Sequence, residues 1–237
     1  ILLGAALIDH PELMADEAPK EPDFEEYQRR LIDYHDAAYA ESYKKTLAPV
    51  LDLAGRMGHQ HADQFAGQAA RVGYRMFAIK DEFEVARLFT LPSFKQRIDE
   101  EFHHDGKIKL HLAPPFLPGL DKLTGRPAKR QFGPWMLKAM SLLAKLRRYR
   151  FSRLNLLART EERRLELAWR EKFEETMNIL AGKLHADNID HALEVLEAFD
   201  HVRGFGPVKM ARMQEAEPML ALAMERFHNP PQKNEAA

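Results

Sequence analysis

Phe24, Tyr27, Leu31, Tyr34 and Ala38 recur three or four positions apart, and the stripe drifts on to Tyr43, Leu47, Val50 and Ala54. That spacing predicts one long amphipathic helix, drifting because 3.6 residues per turn do not divide a nearly heptad pattern evenly. Pro49 should kink or break it, and Gly55 and Gly58 should end it. From Asp63 onward Phe65, Ala69, Val72, Met76, Ile79, Phe83 and Ala86 alternate strictly by four and three. They predict a second helix, antiparallel to the first. Pro92 opens a short third helix, Ser93 to Phe102.

The period then changes. In Lys107 to Leu112 apolar and polar residues alternate, which is the pattern of a half-buried strand, and Ala128 to Phe132 is the candidate return arm, with Gly119 and Gly125 supplying turns. Between Asp105 and Trp135 lie four of the 12 Gly and five of the 14 Pro, a density that marks an irregular insertion with specific backbone demands. Helix resumes at Gly133-Pro134, where proline suits a first turn. Trp135, Ala139, Leu142, Leu146 and Tyr149 share one face, expected to turn inward, with Lys138, Lys145, Arg147 and Arg148 beside it and outward. Thr160 is a good N-cap, with Glu161 and Glu162 complementing the helix dipole; Leu165, Trp169, Phe173, Leu180 and Leu184 follow on the inner face. Ile189, Ala192, Leu196 and Phe199 mark another helix ended by Gly204. The last starts at Pro207, and Pro218 should break its middle.

These elements describe a mainly α fold, a multi-helix bundle-like domain with a small β-ribbon or irregular insertion around 106–132. Residues 1–23 read as a linker or the end of a missing upstream domain, 24–228 as the helical domain, and 229–237 as a disordered tail.

With 45% hydrophobic and 30% charged residues among 237, the composition is globular and fits neither disorder nor a membrane protein. The apolar run Ile1 to Ile8 is too short to span a bilayer. Cysteine is absent, which removes disulfides, thiolate nucleophiles and cysteine-held clusters from this polypeptide and fits a cytoplasmic location. A net charge of -1 conceals an asymmetry. Asp9 to Glu26 holds eight acidic residues against Lys20, whereas Lys122 to Arg164 holds 13 Lys or Arg against Glu161 and Glu162. The second region would steer an acidic partner or nucleic acid, or be a solvated helix face balanced elsewhere in the fold.

Candidate chemistry is sparse. Lys80, Glu84 and Arg87 are spaced for i,i+4 and i,i+3 ion pairs on a helix surface, and with His111 and Arg126 they form a candidate polar structural cluster. His59 with His61, and His103 with His104, lack the spacing of a zinc site. Gly204 to Lys209 imitates a phosphate loop, but Pro207 removes an amide and no strand precedes it; a helix cap followed by a new helix start explains it better. No nucleophile, base and orienting group can be read together, so no catalytic residue is assigned.

Tyr34 to Ala40 (YHDAAYA), Ile79 to Leu88 (IKDEFEVARL), His111 to Pro115 (HLAPP), Thr124 to Met136 (TGRPAKRQFGPWM) and Arg203 to Gly206 (RGFG) occur in that order. In sequence and spacing they resemble the C-terminal region of the long, fused indolepyruvate-type 2-oxoacid:ferredoxin oxidoreductases. The resemblance implies a helical accessory domain following catalytic domains that bind thiamine diphosphate and iron–sulfur clusters, with no cofactor of its own. Those enzymes decarboxylate a 2-oxoacid oxidatively, forming the acyl-CoA with ferredoxin as the usual acceptor. The implied partners are the upstream catalytic domains of the same polypeptide and ferredoxin or another acidic electron carrier, without a membrane, in a full enzyme expected to be a homo-oligomer. Lys129, Arg130, Lys138, Arg147 and Arg148 are the candidate docking residues. The competing expectation is a free-standing helical nucleic-acid-binding protein using the basic region 122–164.

Overall fold

The computed structural model describes residues 23–101, 109–112, 128, 130–152, 155, 160–204 and 206–230. Its helices are α1 (Phe24–Tyr34), α2 (Ala37–Met57), α3 (Gln60–Phe77), α4 (Glu82–Phe89), α5 (Pro92–Glu101), α6 (Trp135–Lys145), α7 (Glu161–Lys183), α8 (Ile189–His201) and α9 (Pro207–His228). Strands β1 (Leu110–Leu112) and β2 (Arg130–Phe132) separate α5 from α6, and a 3₁₀ turn, Leu146–Tyr149, continues α6. The fold is therefore mainly α, a helical bundle with a small β insertion, as the periodicity predicts. The ribbon is antiparallel, pairing Leu110 with Phe132, His111 with Gln131 and Leu112 with Arg130. The irregular stretch 113–127, the tail from 231, and the residues before Asp23 lie outside the described residues.

Among the described residues, two apolar cores organise the fold. The larger gathers α1, α2, α3, α7, α8 and α9 around Tyr43, Leu47, Phe65, Phe77, Phe173, Met177, Phe199 and Phe227, all essentially without solvent exposure. Each such large side chain contributes roughly 1.5–3 kcal/mol through its burial. The smaller joins α4, the ribbon and α6 through Ala86, Leu110 and Met140, with Val85, Phe89, Phe132, Met136, Leu137 and Leu143 packed on them. The molecule is thus a six-helix body carrying a small lobe.

Four expectations need correction. The first predicted helix is two: it breaks at His35-Asp36, where the Asp36 carboxylate accepts the Tyr39 amide at 2.8 Å and starts α2, a cap that a continuous apolar stripe hides. Pro49 does not break α2. It lies on the exposed side with Lys45, so the carbonyl deprived of its partner is open to water. Pro218 is tolerated within α9 in the same way, exposed along with Gln214. The second predicted helix is also two, interrupted at Ala78 to Asp81, because the hydroxyls of Tyr39 and Tyr34 donate to the carbonyls of Phe77 and Ile79 at 2.9 Å each and Asp81 caps a new helix by accepting the Glu84 amide at 2.8 Å. Ile79, Phe83 and Ala86 remain buried across the break, which is why the periodicity runs through it.

The fourth correction concerns α6. Trp135, Ala139, Leu142, Leu146 and Tyr149, expected in the core, are exposed; Leu142 retains 62% of its accessible surface and Trp135 60%. Met136, Met140, Leu143 and Ala144 take the inner face against α4 instead. The helix carries two apolar faces, and the lobe covers one.

Candidate functional site

The lobe is joined to the body through a buried arginine. Arg150, immediately after the 3₁₀ turn, is 3% exposed. Its Nε and Nη2 donate to the two carboxylate oxygens of Asp81 at 2.6 and 3.0 Å. Nη1 donates to the Tyr34 carbonyl, and the guanidinium lies 3.5 Å over the Tyr34 ring. A planar fork meets a carboxylate edge-on while its face rests on an aromatic, which lysine cannot reproduce. Asp81 does double duty, since the same side chain caps α4. Burial pushes the Tyr34 hydroxyl well above the usual tyrosine range, with Arg150 opposing the shift.

Around this hub the end of α1 and the start of α2 meet the end of the lobe. Arg147 Nε donates to the His35 carbonyl at 3.3 Å. Phe151 stacks on Tyr39 with ring centroids 5.0 Å apart and meets His35 edge-on. Arg170 of α7 donates to the Tyr39 hydroxyl at 3.0 Å and lies within 6 Å of the Tyr39, Phe77 and Phe151 rings. The His35 Nδ1 is buried without a hydrogen-bond partner among the described residues, and burial lowers its imidazole below the ordinary value, against the pull of Asp36.

Of the residues chosen from sequence, Lys138 and Arg148 stand exposed on the lobe, as does Arg130 on β2. Arg147 does not point freely outward; its bond to the His35 carbonyl makes it part of the joint. Lys129 and Arg126 lie outside the described residues. Within the polar cluster, Glu84 and Arg87 form the expected i,i+3 pair, bidentate at 2.8 Å for both bonds. Lys80 lies exposed in the break before α4, and His111 sits exposed on a separate element. Sequence reasoning missed Arg150 and Asp81. The available signal was Asp81 before a Glu-rich turn, a good N-cap.

The glycine loop before α9 behaves as a cap. Gly204 and Gly206 have φ of 106° and 58°, and the Gly206 amide donates to Glu162 Oε1 at 2.8 Å. A protein carboxylate therefore takes the amide an anion would need. Among the described residues no three His, Asp or Glu side chains are placed to hold a metal ion, and no helix is long and apolar enough to cross a membrane. A shallow cleft of about 270 Å³ between α7 and α9, bridged by Lys172 and Glu217 at 2.5 Å, brings together no catalytic set. With no cysteine, the chain offers no thiolate to an iron–sulfur cluster.

What remains is a surface. The exposed side of α6 and its 3₁₀ turn aligns Trp135, Leu142, Leu146 and Tyr149 beside Lys138, Lys145 and Arg148. From Lys122 to Thr160 the sequence contains no Asp or Glu, so the face has no carboxylate of its own stretch to balance it. A contiguous apolar strip rimmed by one sign of charge is the physical character of a docking site.

No curated protein matches the chain, and no solved structure does. A family of unknown function, DUF6537, matches residues 22–221. That match takes in α1 to α8, the lobe, the arginine joint and the first two thirds of α9, and the chain belongs to this family.

Proposed function

We propose that this chain is the non-catalytic C-terminal docking domain of a thiamine-diphosphate-dependent 2-oxoacid:ferredoxin oxidoreductase of the long indolepyruvate type. In this reading the six-helix body packs against the catalytic domains, and the lobe offers α6 to an acidic electron carrier. The resemblance of the ordered sequence blocks supports the enzyme class. The uncovered apolar and basic face of α6 is the observation that supports docking. Thiamine diphosphate and the clusters belong to the catalytic domains, and this chain contributes positioning and charge.

The test is steady-state turnover of the full enzyme carrying Lys138→Glu, Lys145→Glu and Arg148→Glu. The expected result is a KM for the protein carrier raised about tenfold or more, with turnover unchanged when a small redox dye replaces the carrier. An unchanged carrier KM removes the reading. The nucleic-acid alternative predicts retention of DNA or RNA at moderate salt, abolished by the same substitutions.

A further inference from the structure

Trp135, Ala139, Leu142, Leu146 and Tyr149 are separated by four, three, four and three residues. On an exposed helix that is the a/d seam of a coiled coil, two heptads long. Assigning Trp135, Leu142 and Tyr149 to d puts Ala139 and Leu146 at a, and Lys138 and Lys145 both at g. The e positions, Met136 and Leu143, turn toward α4 and are packed there. The seam therefore has one basic edge and one edge closed by its own lobe. The 3₁₀ turn keeps the row continuous, because at three residues per turn Tyr149 stacks over Leu146. Its length is roughly 21 Å.

We infer that α6 and its 3₁₀ turn are a helix-docking seam whose occupant is an acidic amphipathic helix of a protein partner, apolar at its own a and d positions and carrying Glu or Asp opposite Lys138 and Lys145. This deepens the docking reading and rests on it only in taking the face to bind protein. Charge selects among occupants. A second copy packed antiparallel would set Lys138 and Lys145 against their own counterparts, and packed parallel would need the e edge that α4 already covers. An anionic bilayer favours cations on both flanks of an apolar strip, whereas here they follow one flank.

The probe is a pair of synthetic three-heptad helices with Leu at a and d, one with Glu at e and g and one with Lys, titrated into the full chain carrying Trp169→Phe so that Trp135 alone reports. The acidic helix should blue-shift Trp135 emission and saturate, with the basic helix at least about tenfold weaker. Lys138→Glu with Lys145→Glu should invert that preference, an outcome a merely structural role for the lysines would not give. Leu142→Asp, at an exposed position, should abolish binding of both helices with the fold intact by circular dichroism. Equal binding of the two helices, binding of anionic phosphatidylserine vesicles in their place, or concentration-dependent self-association lost in Leu142→Asp would each overturn the inference. If the helices fail while carrier KM still responds to charge reversal, docking stands and the helical occupant falls. If the preference inverts while carrier KM is indifferent, the seam stands and the electron carrier falls.

Discussion

Moving a guanidinium and a carboxylate from water into the space between Tyr34 and α4 costs several kcal/mol for each ion, and only matched geometry offsets it. Arg150 and Asp81 meet that condition with two mutual hydrogen bonds, a further bond to the Tyr34 carbonyl and a ring beneath the cation. Removing one partner leaves the other charged, buried and uncompensated. Arg150→Met and Asp81→Asn should each destabilise the chain by about 3–5 kcal/mol in urea unfolding, and Arg150→Lys should recover little, because an ammonium cannot serve both carboxylate oxygens in plane. A double-mutant cycle close to additive would show that the pair does not bind the lobe. His35 gives a second expectation. With its folded value below the ordinary 6.5, the unfolded state takes up the proton first as pH falls. Stability is unaffected well above that value and declines as pH drops through it toward the folded value. Midpoints of urea unfolding at stepped pH should show that decline, and His35→Gln should flatten it. Of the buried pair, only Asp81 left a signal in the sequence, as an N-cap before a Glu-rich turn. Arg150 is one cation among 13 in a basic run, and only the break at Ala78 to Asp81 turns a surface charge pattern into a buried partner.

At the level of elements, α3 holds two glycines with opposite demands. A Cβ at Gly73 would lie 2.9 Å from Leu47 Cδ1, 3.2 Å from the Tyr43 ring and 3.4 Å from Phe173, while one at Gly67 would meet nothing within 4 Å. Gly73 is where α2 and α7 close on α3, among side chains that are fully buried. Gly73→Ala should therefore destabilise by about 1–3 kcal/mol, and Gly67→Ala should stabilise by about 0.5–1 kcal/mol through helix propensity. Thermal unfolding of the two variants should move in opposite directions; a shared direction would contradict the packing described. Glycine counts alone distinguish neither position. The helices themselves were legible because apolar spacing follows burial, and so was the first arm of the ribbon, where the period changes to two between Lys107 and Leu112. The breaks were not. Asp36 and Asp81 cap new helices inside stripes that stay in phase, and the exposed prolines Pro49 and Pro218 lose a bond that water replaces. For α6 the periodicity identified a true apolar face and assigned it the wrong side, since apolar residues surround that helix and period alone does not say which face a neighbour covers.

On the scale of the whole molecule, the Tyr34–Ala40 and Ile79–Leu88 blocks, which carry much of the resemblance, meet at the arginine joint. There they fix a lobe on a body through Tyr34, Asp81 and Arg150. The lobe holds the unbalanced charge, and the body has the large core. Gly133 and Pro134 lead from the ribbon into α6, whose exposed face is the feature the account turns on. Exposed cations acting at a distance are screened by salt, with a decay of about 10 Å at 0.1 M, so docking by Lys138, Lys145 and Arg148 has a distinctive signature. On the proposed function, the most direct measurement is kcat/KM of the full enzyme for its protein carrier across a salt series, for the natural sequence and the triple charge reversal. The natural enzyme should lose efficiency steeply with added salt, and the variant should start lower and lose little or even gain. Parallel salt dependences would contradict a docking role for this face.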